Sequence, residues 1–190
     1  MLTATYAQVA IVAEHNKVRS VLQDLQQCIQ NCMRTAAGAG YATLKSTFFK
    51  LKEFHDSFRW RKIERHLLPS LRRFNPEAAT LIDELESISD RACELLHTAD
   101  LQLEQANHGA GRVADDVCES MGMVCHHIQL RLDREEQELM PLAQRLLSVE
   151  DWFGIAARFL SEEPVGGLKR PAFGAPWLPA TSGRERSALV

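Results

Sequence analysis

Apolar positions recur along this chain at helical spacing, and no alternating strand pattern appears anywhere. Four long helices and one short one are predicted. The first runs from about Thr5 to Ala36, with Ile11, His15, Val18, Leu22, Leu25 and Ile29 on one stripe, and ends at Gly38 and Gly40. His15 therefore lies on a stripe otherwise made of hydrocarbon. The second runs from about Ala42 to the neighbourhood of Pro69, which should kink or stop it. Phe48, Leu51, His55, Ile63 and Leu67 mark its inner face, with Arg59 in the middle. Asn75 and Pro76 form a favourable cap and first-turn pair for a third helix, with Leu81, Leu85, Ile88, Ala92 and Leu95 inward, fading at His108, Gly109 and Gly111. The fourth spans roughly Arg112 to Leu147, with Met121, Val124, Ile128, Leu132, Leu139, Leu142 and Leu146 apolar. Ser148 with Asp151 then matches a capping box for a fifth, short helix carrying Trp152, Ile155 and Phe159.

Short loops between long helices imply an all-α fold, an antiparallel up-down-up-down four-helix bundle over residues 1–162. Residues 163–190 are rich in Pro, Gly and Ser and lack period. They are expected to form a tail that stays mobile or lies along the domain through Phe173 and Trp177.

Composition narrows the function classes. With 190 residues, 45% of them apolar and 25% charged, the chain has room for one globular domain with a buried core. A net charge of -3 gives no overall pull toward nucleic acid or anionic lipid. The N-terminus has no basic region ahead of an apolar run, so it reads as neither a signal peptide nor a membrane span, and the cytoplasm is the expected compartment. Cys28, Cys32, Cys93, Cys118 and Cys125 are odd in number and set in helical patterns, which fits packing thiols better than disulfides.

Two segments, Phe54 to Leu71 and Cys125 to Leu147, share a layout. Each places two residues ten and six positions before a proline, four apart and so on one helix face. That is the layout of a ligand pair facing the core of a helix bundle. The residues are Arg59 and Ile63 before Pro69, and Arg131 and Glu135 before Pro141. A guanidinium has no lone pair to offer a metal, so neither Arg can be a ligand.

From about Ala10 to Phe159 the chain resembles the bacterial hemerythrin-like family, the HHE cation-binding domains. The matching stretches are AEHNKVRSVLQDL, the K-x-E-x(2)-L-L-P block ending at Pro69, LIDELESI, EEQELMP and EDWFGIAARF. The resemblance implies a four-helix bundle that typically holds non-haem di-iron and handles dioxygen, nitric oxide or iron. It also implies that His15, Glu135 and Glu136 are remnants of the metal site. Arg59 stands where a His is expected, Ile63 where the bridging Glu is expected, Ser89 about where the third helix gives His, and Arg131 where the fourth does. One His and two carboxylates are too few for two irons, so no ordinary di-iron site is expected.

Two arrangements could occupy the vacated centre. In the first, Arg59, Arg131, Glu135 and His15 form a buried charge network, fixed cations replacing the metal, with Glu14 and Glu136 nearby. The bland counterpart has both Arg side chains reaching outward along their helices. In the second, a displaced layer of His55, Cys93 and His127 holds a zinc or iron ion, or places two imidazoles across a haem; otherwise these are ordinary core-edge histidines. The run Arg59, Arg61, Lys62, Arg65 and His66 around Trp60 offers a basic face to an acidic partner, although it reads mainly as a solvated helix face rather than a nucleic-acid surface. No hydrolase, kinase or redox motif stands out. The ligand count ranks a non-enzymatic binding or regulatory module without cofactor first, its partner engaged through the tail or that basic face. A metal or haem protein with an altered, gas-binding site comes second, and a conventional di-iron protein third.

Overall fold

A computed structural model describes residues 2–34, 41–73, 76–106 and 111–162, and every regular element among them is helical. In chain order these are α1 (Leu2–Arg34), α2 (Tyr41–Phe58), α3 (Leu68–Leu71), α4 (Pro76–Ala106), α5 (Gly111–Arg134), α6 (Met140–Leu146) and α7 (Val149–Ser161). None is long and apolar enough to cross a membrane. Asn75, the glycines at 38, 40 and 109, and the predicted tail at 163–190 lie outside the described residues.

Two wide turns with π-helical hydrogen bonding, Ile63–Leu67 and Glu135–Leu139, lead directly into α3 and α6. Both stand immediately ahead of an X-Pro pair, and the reason is local. Pro69 and Pro141 carry no N–H, so a plain α-helix would leave the carbonyls of Arg65 and Gln137 without a donor. Instead Leu68 N–H reaches Ile63 O, and Met140 N–H reaches Glu135 O, each five residues back. Widening the turn by one residue accommodates the missing donor without ending the helix.

The first segment departs further from expectation. The predicted unbroken second helix stops at Phe58, residues 59–62 form a turn closed by Trp60 N–H to Ser57 O at 3.0 Å, and helix resumes at Ile63. On α4 Leu85 and Ala92 are buried as predicted, but elsewhere the buried stripe departs from the predicted positions. Ile82 and Leu96 are buried while Leu81, Ile88 and Leu95 are only partly so. Paired leucine or isoleucine neighbours leave that phase ambiguous, and the small residues Ala78, Ala92 and Ala99 settle it in the contact with other helices. Ser148 caps α7 as read from the sequence, with Asp151 N–H donating to its hydroxyl and the Asp151 carboxylate accepting from Ser148 N–H.

α4 lies against α5 over much of its length, and α1 contacts α5, α7 and α2. The apolar interior falls into two clusters. One joins Val18 to Cys32 of α1, the whole inner face of α2 to Phe58, the second half of α4 and α5 to Leu132. The other joins Ala7 and Ile11 of α1, Ile63 to Leu71, the first half of α4, α6 and the inner face of α7. Each fully buried Leu, Ile or Phe in them contributes roughly 1.5–3 kcal/mol. Between the clusters His15 of α1, Arg61 of the turn after α2, Ser89 of α4 and the pair Arg131 and Glu135 are joined by side-chain hydrogen bonds.

Candidate functional site

Glu135 is the first residue of the wide turn that follows α5, and none of its side chain reaches solvent. Its Oε1 accepts from Arg61 Nη2 at 2.7 Å and Arg131 Nε at 2.9 Å. Its Oε2 accepts from Arg61 Nη1 at 2.7 Å and lies 3.0 Å from His15 Nε2. A carboxylate can only accept, so Nε2 carries the proton of that last bond. The Arg61 fork is thus bidentate, the strongest geometry open to a guanidinium and a carboxylate. Arg61 is itself buried, donates from Nε to Phe58 O at 3.0 Å and lies 3.6 Å over the Phe58 ring.

Glu64 closes the cluster from the partly exposed side. It accepts from Arg61 Nη2 at 3.0 Å and from Arg131 Nη2 at 2.5 Å, while Arg131 Nη1 donates to Ser89 Oγ. Two guanidiniums therefore face two carboxylates, with no charge left over among the four. Such a layer is tolerable in a core only because every member is paired; removing one partner strands the others.

The electrostatics follow from this pairing. Burial alone would push the Glu135 carboxyl up. The Arg61 guanidinium, the hydrogen bonds from His15 and Arg61, and the charge of Arg131 together outweigh burial and hold it well below the usual carboxylate range. Burial likewise works against the Arg61 cation, yet Glu135, Glu64 and Glu14 raise its value further. Glu14 goes the other way, pushed up by burial despite Arg61 and the N–H of Lys62, which it accepts at 3.0 Å.

Three of the four residues expected in a charge network, His15, Arg131 and Glu135, meet here. The fourth does not. Arg59 is exposed, and Arg61 takes the inward place. α2 ends at Phe58, so helical spacing no longer decides which of the following residues faces inward; the turn carries Arg61 in, where its Nε reaches Phe58 O, and leaves Arg59 outside. Spacing singles out neither Arg61 nor Glu64, because both follow the break in the helix after Phe58. Ile63, expected at a ligand height, packs in the second apolar cluster. Glu136 lies at the rim, 3.2 Å from His15 Nδ1 without hydrogen-bond geometry, and pairs with Arg19 at 2.8 Å.

The displaced layer is incomplete. His55 and His127 line one small cavity together with Ser89 and Arg131, but Cys93 is exposed and does not line it. The cavity measures about 10 Å³, room for one water and far too little for a porphyrin. His127 Nδ1 donates to Met123 O at 2.8 Å. His55 Nδ1 is buried without a hydrogen-bond partner, and burial lowers the pKa of the ring.

The donor set does not fit a di-iron centre. All four near contacts to Glu135 come from N–H groups, so an ion seated there would have to displace guanidiniums, and a cation beside Arg61 and Arg131 meets two fixed positive charges. Among the described residues no group of three or more His, Cys, Asp or Glu side chains is placed to hold a metal ion. The basic run is also not a single face. Arg61 and His66 are buried, Arg65 and His66 pair with Glu162, and of the run only Arg59 and Trp60 are exposed. No protein-family model, curated protein or solved structure matches the chain.

Proposed function

We propose that this chain is a non-enzymatic binding or regulatory module, a divergent hemerythrin-like bundle in which an ion-pair cluster replaces the metal centre. The carrying observation is the buried Glu135 carboxylate, whose two oxygens accept from Arg61 twice, from Arg131 and from His15. A bridging carboxylate needs both oxygens free for metal; here a planar fork and two further donors take them. An antiparallel up-down-up-down arrangement of the long helices is part of the same reading. It is supported by contacts that climb one helix while descending another. Glu77 with Arg145, Glu84 with Arg134 and Gln102 with Ser120 do so for α4 against α5 and α6. Cys32 with Thr47 and Glu14 with Lys62 do so for α1 against α2 and the turn that follows it.

In this reading the charged layer ties α1, the turn after α2, α4 and α5 to one another, since sliding any of them would part a buried charge from its partner. Function then rests on surfaces, not on the centre. Metal quantification and a visible spectrum of freshly purified protein, followed by titration with ferrous iron or zinc, provide the test. The expected outcome is substoichiometric metal, no ligand-to-metal absorption band and no rise in Tm on titration. Two equivalents of tightly held iron per chain would overturn the reading.

A further inference from the structure

His55 and Phe58 stand in the last turn of α2 and line one small cavity, with Ser89 of α4 and His127 and Arg131 of α5 as other walls. His55 is buried, and its Nδ1 has no hydrogen-bond partner. The groups around it set what a proton would meet there. On its own helix the well-exposed Asp56 carboxylate stands 3.8 Å from Nδ1, beyond hydrogen-bond reach, and Arg59 just past the helix opposes a second positive charge. From α5 come His127, whose Nδ1 donates to Met123 O, and Arg131, whose guanidinium is taken up by Glu135, Glu64 and Ser89. Among the described residues no carboxylate lines the cavity, and no charge of α1 or α4 acts on the ring. Burial therefore outweighs Asp56 and holds the pKa of His55 below its ordinary value.

A change at His55 would be felt at Phe58. The Phe58 ring lies 3.6 Å from the Arg61 guanidinium, and the Phe58 carbonyl accepts from Arg61 Nε at 3.0 Å. Beyond Phe58 the helix stops, Trp60 N–H closes the turn on Ser57 O, and Arg61 is fixed to Glu135. The last turn of a helix lacks the onward hydrogen bonds that lock its middle, so this end opens at lower cost than the stretch held by Leu44, Phe48 and Leu51. We infer that His55 is a proton sensor: charging it lifts the last turn of α2, draws Phe58 off Arg61 and opens the Glu135 layer to solvent. This names a regulation of the ion-pair layer proposed above and rests on that layer; it gives the module a surface, Phe54 to Trp60, that acid changes. A ring whose pKa falls on folding favours the closed turn in full above about pH 6.5, and that preference is lost as pH falls toward the folded value.

Exchange of the backbone amides and of the Arg61 Nε–H in the full-length, metal-free chain tests this, followed by NMR from about pH 7.5 to about pH 5 and corrected for intrinsic rates. Protection at residues 54–62 and at Arg61 Nε should fall by up to about tenfold per pH unit below about pH 6.5, while amides in the middle of α4 keep theirs. His55→Gln should remove that dependence, and His127→Gln should retain it. The His55 ring itself, read from its C–H shifts in the wild-type protein, should titrate below about 6.5, a measurement that needs no variant to fold. Protection independent of pH would overturn the inference, as would a dependence that survives His55→Gln or is removed by His127→Gln. So would a ring that titrates above about 6.5, because Asp56 and the helix C-terminus would then outweigh burial. Since exchange is read without metal, its failure leaves the ion-pair layer standing, whereas two equivalents of bound iron would remove the layer itself.

Discussion

Between Phe54 and Leu71 the chain leaves its helix, turns through residues 59–62 and re-enters through a wide turn; between Cys125 and Leu147 it passes from α5 through a wide turn into α6 without leaving the helix. Both segments end on the same problem, a proline two residues into the next helical stretch, and both send one guanidinium to Glu135. They differ in how the guanidinium arrives. Arg131 reaches Glu135 as an i,i+4 neighbour on its own helix, at the edge of the core beside Ser89 and Glu64. Arg61 crosses from another element, delivers a two-pronged contact over the Phe58 ring and is sealed from solvent. Equal spacing from a proline therefore does not make two positions equivalent; the path of the backbone between them decides which side chain enters the layer.

The most forceful way to break the comparison is to remove what the two segments share. Glu135→Ala leaves Arg61 and Arg131 in the core with only the rim carboxylate of Glu64, and should cost about 3–5 kcal/mol in urea unfolding. Arg61→Ala should cost somewhat less, about 2–4 kcal/mol, because Arg131 and His15 still hold Glu135. If Arg131→Ala proved more damaging than Arg61→Ala, the ranking of sealed fork over edge contact would be wrong.

How much of this layer could be read from sequence depends on how far each residue lies from an interruption. His15 is legible because the stripe of α1 has no break between Ile11 and Ile29, so the one polar residue in it must face inward. Arg131 and Glu135 are legible because α5 stays helical up to the residue where its turn widens. Arg61 is not, since extrapolating the period of α2 past Phe58 assumes helix where residues 59–62 form a turn. Glu64 meets Arg131 across 67 positions of sequence, a contact no local period encodes. Cys93 fails for a smaller reason. It follows buried Ala92 by one residue, and a rotation of about 100° carries it to the surface.

Acid offers a gentler perturbation of the same carboxylate. The folded-state pKa of Glu135 is depressed, so its contribution is complete above about 4.5, where an unfolded carboxyl titrates, and is lost as pH falls from there toward the folded value. The stability gap between wild type and Glu135→Gln should thus be flat near neutrality and narrow progressively below about pH 4.5. Urea midpoints of both proteins at several pH values measure it. A gap that widened in acid would mean that Glu135 is protonated, rather than ionised, in the folded protein.

The smallest expected effect separates the two candidate arginines of the first segment. Arg59 is exposed and Arg61 is sealed, although they sit two residues apart and either one suits a network drawn from proline spacing. Arg59→Ala should change stability by no more than about 0.5 kcal/mol, the ordinary range for a surface substitution away from any special contact. Its combination with Glu135→Ala should be additive within about 0.5 kcal/mol, whereas Arg61→Ala with Glu135→Ala should fall well short of the sum, because the second change removes a charge already without its partner. A strong coupling between Arg59 and Glu135 would mean that the helix continues through residues 59–62 in solution, and that the two proline-terminated segments are alike after all.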